Sequence, residues 1–340
     1  MRKLIEIQKK LVPEILEVTE RRYSILKQIS LNEPIGRRAL ANLLELSERT
    51  TRSEIEFLKN QGLIEVQVSG MTINQNGLDV LDDLKELMDE VMGISHLEEQ
   101  IKQKLKIKKV IIVPGNSDDN KAVIKDIGKS TYKYLMSILK DNVIIGVTGG
   151  NTMFEFAQCL PEFKKEKNIL VVPARGGLGR EVEIQSNTIA ATVGKKLCGS
   201  YRLLHVPDNV GKDIMESLMS EPDINTTLEY IKNVNILIFG IGKSEDMAER
   251  RKMDLEGIRL INSRGAVGEA FGHYFNRNGE KVYETSTIGI TVEDFKSIEN
   301  AIGIAGGSKK AEAIIAISKV KKDLVLITDQ GAANKILELI

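Results

Sequence analysis

The chain has 340 residues, 42% of them hydrophobic and 28% charged, with 48 Lys and Arg set against 48 Asp and Glu for a formal net charge of +0. That length exceeds the needs of one small domain and predicts two, one of them large. The charge balance excludes a uniformly basic coat for nucleic acid, so any such contact must come from a local patch.

Met1–Leu11 carries Arg2, Lys3, Lys9 and Lys10 with no continuous apolar core after them, so no signal peptide is expected. No run of about 18 apolar residues follows to span a membrane. Cys159 and Cys198 are not in a CxxC spacing, and His96, His205 and His273 are scattered. A structural zinc site needs about four closely spaced N/S ligands, so no metal is expected. The cysteines read as buried small hydrophobes in a reducing, cytoplasmic compartment. The absence of Trp removes one stacking platform for single strands.

Residues 1–90 form the first expected domain. Ile15–Ile29 has helical periodicity, and Pro34-Ile35-Gly36 is read as the start of a second helix, Arg37–Leu44, because the missing Pro N–H costs least there. Leu46-Ser47 makes the turn, with Ser47 the N-cap of a third helix, Glu48–Asn60, which Gln61-Gly62 ends. Leu63–Val68 alternates, Ser69-Gly70 turns and Met71-Thr72-Ile73 returns. A hairpin after a helix-turn-helix is a wing. On the third helix Thr51, Ile55 and Leu58 share the face that packs inward. Arg49, Ser53 and Glu56 lie opposite, with Thr50 and Arg52 on the flanks. That division suits a recognition helix in the major groove of double-stranded DNA, where Arg forms a bidentate bond to guanine. Ser47 stands at the helix entry, and Arg37 and Arg38 suit backbone phosphates. Residues 1–70 hold 12 Lys/Arg against 10 Asp/Glu. That surplus is small, so a winged helix used for protein contacts stays open.

Leu78–Leu105 reads as two amphipathic helices broken at Gly93. They either pack on the larger domain or form a linker that also dimerises. From 91 to 340, apolar runs alternate with helical stretches. Strands are expected at Val110–Val113, Val143–Val147, Ile169–Val172, Leu203–Val206, Ile236–Phe239, Ile302–Ala305 and Leu324–Thr328. Runs this compact suit a mainly parallel, doubly wound α/β sheet buried on both faces.

Several of these strands end in glycine and enter a helix. In Val147-Thr148-Gly149-Gly150-Asn151-Thr152 the glycines let main-chain N–H groups approach an anion at a helix N-terminus. Ala305-Gly306-Gly307-Ser308-Lys309-Lys310 repeats the pattern with full positive charges. Two such loops in one crevice would suit a bisphosphate. Pro173-Ala174-Arg175-Gly176-Gly177-Leu178-Gly179 sets an Arg fork beside flexible backbone, and Arg250-Arg251 is a further basic pair. Gln185 and Glu269 could bond sugar hydroxyls. Each feature has a plainer reading: tight turns for the glycines, a solvated helix face for Arg250-Arg251, a helix cap for Glu269. Gly242-Lys243-Ser244 resembles the end of a P-loop, but Leu237 stands where glycine is required, and Glu245 breaks the dinucleotide fingerprint of Gly240-x-Gly242. NAD and ATP are therefore not expected, and no other cofactor is.

Taken with Glu33-Pro34-Ile35-Gly36-Arg37-Arg38, Tyr201-Arg202-Leu203-Leu204 and Glu269-Ala270-Phe271-Gly272, the three glycine loops make the whole chain resemble the SorC family of sugar-responsive transcriptional repressors, in its glycolytic branch. The resemblance implies a sugar-phosphate isomerase and deaminase-like fold for the large domain. It implies fructose 1,6-bisphosphate as effector, an operon of lower-glycolysis enzymes, and dimers that pair into tetramers on a tandem operator. It further implies an effector pocket of Gly149, Gly150, Asn151, Thr152, Arg175, Gln185, Arg250, Arg251, Glu269 and Lys310, with Asn151 standing where the family loop has a second hydroxyl residue. Two alternatives remain: a regulator of another sugar operon with a different phosphosugar, and a sugar-phosphate isomerase using Glu269, Asp329 or His273 as acid and base. An isomerase has no use for a winged helix, so no enzyme is expected.

Overall fold

Helix α1, Pro13–Asn32, opens the first of two units, Met1–His96 and Leu97–Ile340, in a computed structural model that describes residues 7, 11–44, 46–91, 93–164, 168–177, 181–206, 212–286 and 288–340. The basic N-terminal residues Arg2, Lys3, Lys9 and Lys10 lie outside the described residues, as do Leu178 and Gly179.

Helices α2, Arg37–Leu43, and α3, Glu48–Asn60, follow α1. Ser47 caps α3 by accepting the Thr50 N–H at 3.0 Å. Ile55 and Leu58 are buried with Ile25, Leu26, Ile29 and Leu40, and each such side chain stabilises the fold by about 1.5–3 kcal/mol. Glu54, unremarked in the sequence, is also buried. Its two oxygens accept from Nε of Arg21 at 2.9 Å and Nε of Arg22 at 2.8 Å, which tie α3 to α1. The Arg22 guanidinium also lies 3.5 Å from the Phe57 ring centroid.

The expectation for Pro34 is corrected. It lies outside α2, whose N-cap is Gly36, and is joined to Glu33 by a cis peptide. Ile35 instead exchanges both main-chain hydrogen bonds with Met71, at 3.1 and 2.8 Å. Both side chains are buried in the same apolar cluster, so Ile35 is held against the hairpin as a one-residue third strand. That hairpin is β1, Ile64–Gln67, and β2, Gly70–Ile73, with Ile64 opposite Ile73 and Gln67 opposite Gly70.

Helices α4, Gln75–Val91, and α5, Ile94–Leu105, are separated at Gly93 as the sequence indicates. Helix α4 packs through Met88 and Val91 on Leu16 and Tyr23 of α1, so it belongs to the N-terminal unit and not to the large domain. From Leu97 onward α5 belongs to the second unit, where Ile101 is fully buried and Glu98 accepts the Ile112 N–H at 2.8 Å.

The second unit holds a seven-stranded parallel sheet. Its strands are β3, Lys109–Val113; β4, Val143–Val147; β5, Ile169–Pro173; β6, Ser200–Tyr201; β7, Ile236–Gly240; β12, Asn300–Ile304; and β13, Val325–Asp329. The order is β3-β13-β12-β7-β4-β5-β6. Six of these strands match the sequence reading because their side chains alternate between two covered faces. Ile145, Val171, Ile238, Ile304 and Ile327 share a layer with α6, Ala122–Ile138, α7, Asn151–Cys159, and α8, Ser186–Lys196. Leu237, Phe239, Ala301 and Leu326 are buried on the other face.

Leu203–Val206 is not a strand. The Asn187 side chain accepts the Leu204 N–H at 2.9 Å and donates to the Leu204 carbonyl at 3.1 Å, completing the bonds a neighbouring strand would make. Pairing with β5 moves upstream to Ser200 and Tyr201.

After β6 come α9, Lys212–Ser220, and α10, Pro222–Lys232. A four-stranded antiparallel sheet, not expected from the sequence, lies between β7 and β12 in the chain. It is formed by β8, Gly242–Lys243, β9, Ala266–Ala270, β10, His273–Asn276, and β11, Lys281–Glu284, with α11, Ser244–Arg250, and α12, Leu255–Ser263, inserted after β8. His273, Tyr274 and Phe275 are all buried, so β10 lacks the alternation that marks a half-exposed strand. The chain then runs through α13, Val292–Ser297, and closes with α14, Ala311–Val320, and α15, Gln330–Leu339, on either side of β13.

Strand β4 lies between β5 and β7. The chain leaves it outward through β5 to β6, then returns to β7 on its other side and proceeds toward β3. At such a reversal the loops beyond the strand ends diverge and open a crevice.

Candidate functional site

That crevice is a cavity of about 1030 Å³ at the carboxyl ends of β4 and β7. All ten residues that the family resemblance implies as effector ligands line it: Gly149, Gly150, Asn151, Thr152, Arg175, Gln185, Arg250, Arg251, Glu269 and Lys310. Among the described residues Lys252 adds a fifth cation, and Glu181 and Glu249 join Glu269 as the acids.

The 147–152 loop is built by close backbone approach. A Cβ on Gly149 would lie 2.4 Å from the Ile184 carbonyl oxygen, and Gly150 has φ +115°, which side chains rarely adopt. Thr148 accepts the Gly240 N–H at 3.1 Å and so clips β4 to β7. The Gly150 N–H, counted with the loop amides from the sequence, is instead donated to the Ile184 carbonyl at 2.8 Å. Because α7 begins at Asn151, its first amides, those of Asn151, Thr152 and Met153, are the ones presented to the cavity.

Arg175 and Arg251 are both 5% exposed and Glu269 is 3% exposed. Glu269 Oε1 accepts from Arg251 Nη2 at 2.7 Å and the Gly272 N–H at 2.6 Å, and lies 3.6 Å from Arg175 Nη1. It therefore orders two guanidiniums, a role beyond the sugar contact assigned from its residue type. The Arg175 segment is fixed as well. Its carbonyl accepts the Ser186 hydroxyl at 2.9 Å, while the Gly176 N–H reaches the Ile288 carbonyl at 3.0 Å. Neither Ser186 nor Asn187 stood out in the sequence, since a Ser-Asn pair opening a helix reads only as a cap.

The reading of 305–310 as a second open anion loop is corrected. Three of its polar groups are bonded to the protein's own carboxylates. Gly307 N–H donates to Asp329 Oδ2 at 2.8 Å, and the Ser308 hydroxyl and Lys309 N–H donate to Asp118 Oδ2 at 2.8 and 3.1 Å. Of this loop, Lys310 reaches the cavity wall, and burial, then the nearby Arg250 charge, holds its ammonium below the usual lysine range.

The acid–base candidates are also sorted. Asp329 is fully buried and accepts from the Ser117, Gly307 and Ala332 amides, each at 2.8 Å. His273 is outside the cavity lining. Its Nε2 is 3.3 Å from the Ile290 carbonyl, and burial lowers its pKa. Among the described residues no cluster of His, Cys, Asp and Glu could hold a metal ion. Cys159 and Cys198 are free and half-buried.

In the N-terminal unit, Arg37, Arg38, Arg49, Arg52 and Ser53 are exposed and Thr50 is half-buried. The Ser47 hydroxyl is engaged at the cap, 2.8 Å from the Thr50 hydroxyl as well as bonded to its amide. Arg38 Nε lies 3.4 Å from Glu48 across two exposed side chains, a pair of little energetic weight. The exposed face of α3 thus keeps Arg49, Arg52 and Ser53 open to a groove.

A winged helix-turn-helix and an α/β domain with a cation-lined crevice are the two parts of a ligand-responsive DNA-binding transcriptional regulator. Two family models match the chain, an N-terminal DNA-binding domain named for CggR over residues 18–88 and a sugar-binding domain over 89–338. The chain is 42% identical to the central glycolytic genes regulator of Bacillus subtilis over 337 residues, 99% of each chain. A SorC family transcriptional regulator structure from Enterococcus faecalis superposes with a TM-score of 0.67 at 37% identity, covering 71% of this chain and 99% of that one. The full-length sorbitol operon regulator SorC of Klebsiella pneumoniae gives a TM-score of 0.68 over 89% of this chain and 94% of its own, at 20% identity, and shares the fold. The chain belongs to the SorC family of sugar-binding transcriptional regulators, and its relatives are named as regulators, not enzymes.

Proposed function

We propose that the protein is a cytoplasmic repressor of a glycolytic operon, released from tandem operator sites by fructose 1,6-bisphosphate. The observation that carries this is the convergence of Arg175, Arg250, Arg251 and Lys310 with the first amides of α7 on one cavity of about 1030 Å³. One phosphate is assigned to the α7 N-terminus, where three amides and the helix dipole favour an anion. Arg175 and Arg251, held rigid by Glu269, suit the bidentate grip of a second. Gln185, on the same wall, is assigned to sugar hydroxyls. On the DNA side, Arg49, Arg52, Thr50 and Ser53 read base edges, while Arg37, Arg38 and the α3 entry at Ser47 face phosphates. Homodimers that pair into tetramers would match a tandem operator. No helix among the described residues is long and apolar enough to cross a membrane.

The effector shifts DNA binding by its difference in affinity for two forms of the protein. Titrating fructose 1,6-bisphosphate into a protein–operator complex is expected to lower DNA affinity or cooperativity, and an unchanged complex would defeat the reading. A panel of monophosphates alongside it separates this effector from another phosphosugar. Arg52→Ala is expected to weaken operator binding by about 1–3 kcal/mol with an unaltered melting curve, because the side chain is exposed. A gel shift with wild-type affinity would remove Arg52 from the interface.

A further inference from the structure

We propose that Asp118, which is not part of the cavity wall, is the residue that positions Lys310 for a phosphorylated ligand. This rests on the reading of the cavity as a phosphosugar site. Lys310 ends the short turn Ser308–Lys310, entered through Gly307 with φ +99° and closed by the Lys310 N–H on the Gly307 carbonyl at 3.0 Å. Its ammonium shares the cavity wall with Arg250, whose like charge favours swinging the long side chain out to water. Something must hold the turn, and two carboxylates do. Asp329, at the end of β13, takes the Gly307 amide at 2.8 Å. Asp118, from the segment after β3, takes both the Ser308 hydroxyl and the Lys309 amide on one oxygen.

The two grips are joined. The Ser117 amide, next to Asp118, bonds the same Asp329 oxygen at 2.8 Å, and the Asp118 amide is held by Asn116 Oδ1 at 3.1 Å. Asp118 therefore sets the backbone from which Lys310 projects, and its negative charge adds to those of Asp246 and Asp329 in offsetting Arg250 at the ammonium. It touches no ligand in this scheme and acts through Lys310.

The test is calorimetric titration of the full chain with fructose 1,6-bisphosphate, and with inorganic phosphate as the minimal probe. Asp118→Ala is expected to weaken binding about tenfold, the scale of one charge-assisted hydrogen-bond pair. Asp118→Asn keeps an acceptor oxygen and is expected to recover part of the loss. In a Lys310→Ala background Asp118→Ala is expected to add nothing, whereas a general structural role would reduce affinity by the same factor in both backgrounds. Ser308→Ala removes one of the two bonds to Asp118 and is expected to cost about twofold, again dependent on Lys310. It carries the test should Asp118→Ala fail to fold. Wild-type binding with unaltered variants, or losses that persist without Lys310, overturns this proposal alone. A wild-type chain that binds neither probe overturns the phosphosugar reading with it.

Discussion

Glu269→Ala is expected to destabilise the second unit by roughly 3–5 kcal/mol, the cost of leaving a buried ion pair broken on one side. Arg251 and Arg175 are both 5% exposed, and the substitution removes the carboxylate they share together with the acceptor of the Gly272 amide. Urea unfolding followed by circular dichroism reads this directly, since the chain has no Trp to report by fluorescence. Glu269→Gln keeps the shape and an acceptor but not the charge, and is expected to fall between wild type and Ala. A change below about 1 kcal/mol for the Ala variant would mean that other contacts of the two arginines suffice.

The second large effect is on binding. Gly149→Ala puts a Cβ 2.4 Å from the Ile184 carbonyl oxygen, which is main chain and already accepts the Gly150 amide. The neighbour cannot rotate away, so the loop must shift and carry the start of α7 with it. Overpacking of this kind costs about 1–3 kcal/mol of stability. The loss of aim at the α7 amides is expected to reduce affinity for fructose 1,6-bisphosphate by about a hundredfold, because pre-organised donors lose most of their effect when displaced by about an ångström. Equal titration curves for Gly149→Ala and wild type would place the phosphate elsewhere in the crevice.

What the sequence made legible depended on whether the signal was local. Helix α3 could be bounded at both ends because its cap, Ser47, and its buried face, Thr51, Ile55 and Leu58, recur at fixed spacing. Six strands of the parallel sheet were legible because strands covered on both faces are unbroken apolar runs. The antiparallel sheet was not. Strand β8 is two residues long, β9 interrupts its run with Gly268 and Glu269, and β10 buries a His and a Tyr on a sheet that tertiary packing, not alternation, defines. At the site, residue types marked glycine loops and cations, the family resemblance gathered them into one pocket, and neither revealed the partners within it. Glycine and lysine in 305–310 looked like an empty anion loop because Asp118 and Asp329, which fill it, are about 190 and 20 residues away in the chain. The same holds for Glu54, whose arginines lie 33 and 32 positions upstream.

The double hydrogen bond between Ile35 and Met71 has a mechanical consequence. It joins the entry of α2 to the hairpin, while the Glu54 fork fastens α3 to α1. The helices and the wing are thereby bonded to one another, and so are the surfaces proposed above for phosphates, at Arg37 and Arg38, and for bases, on the exposed side of α3. If that surface binds a duplex as proposed, DNA whose groove width departs from the fitted one would have to deform to meet it, and part of the sequence preference would fall on base pairs that no side chain reaches.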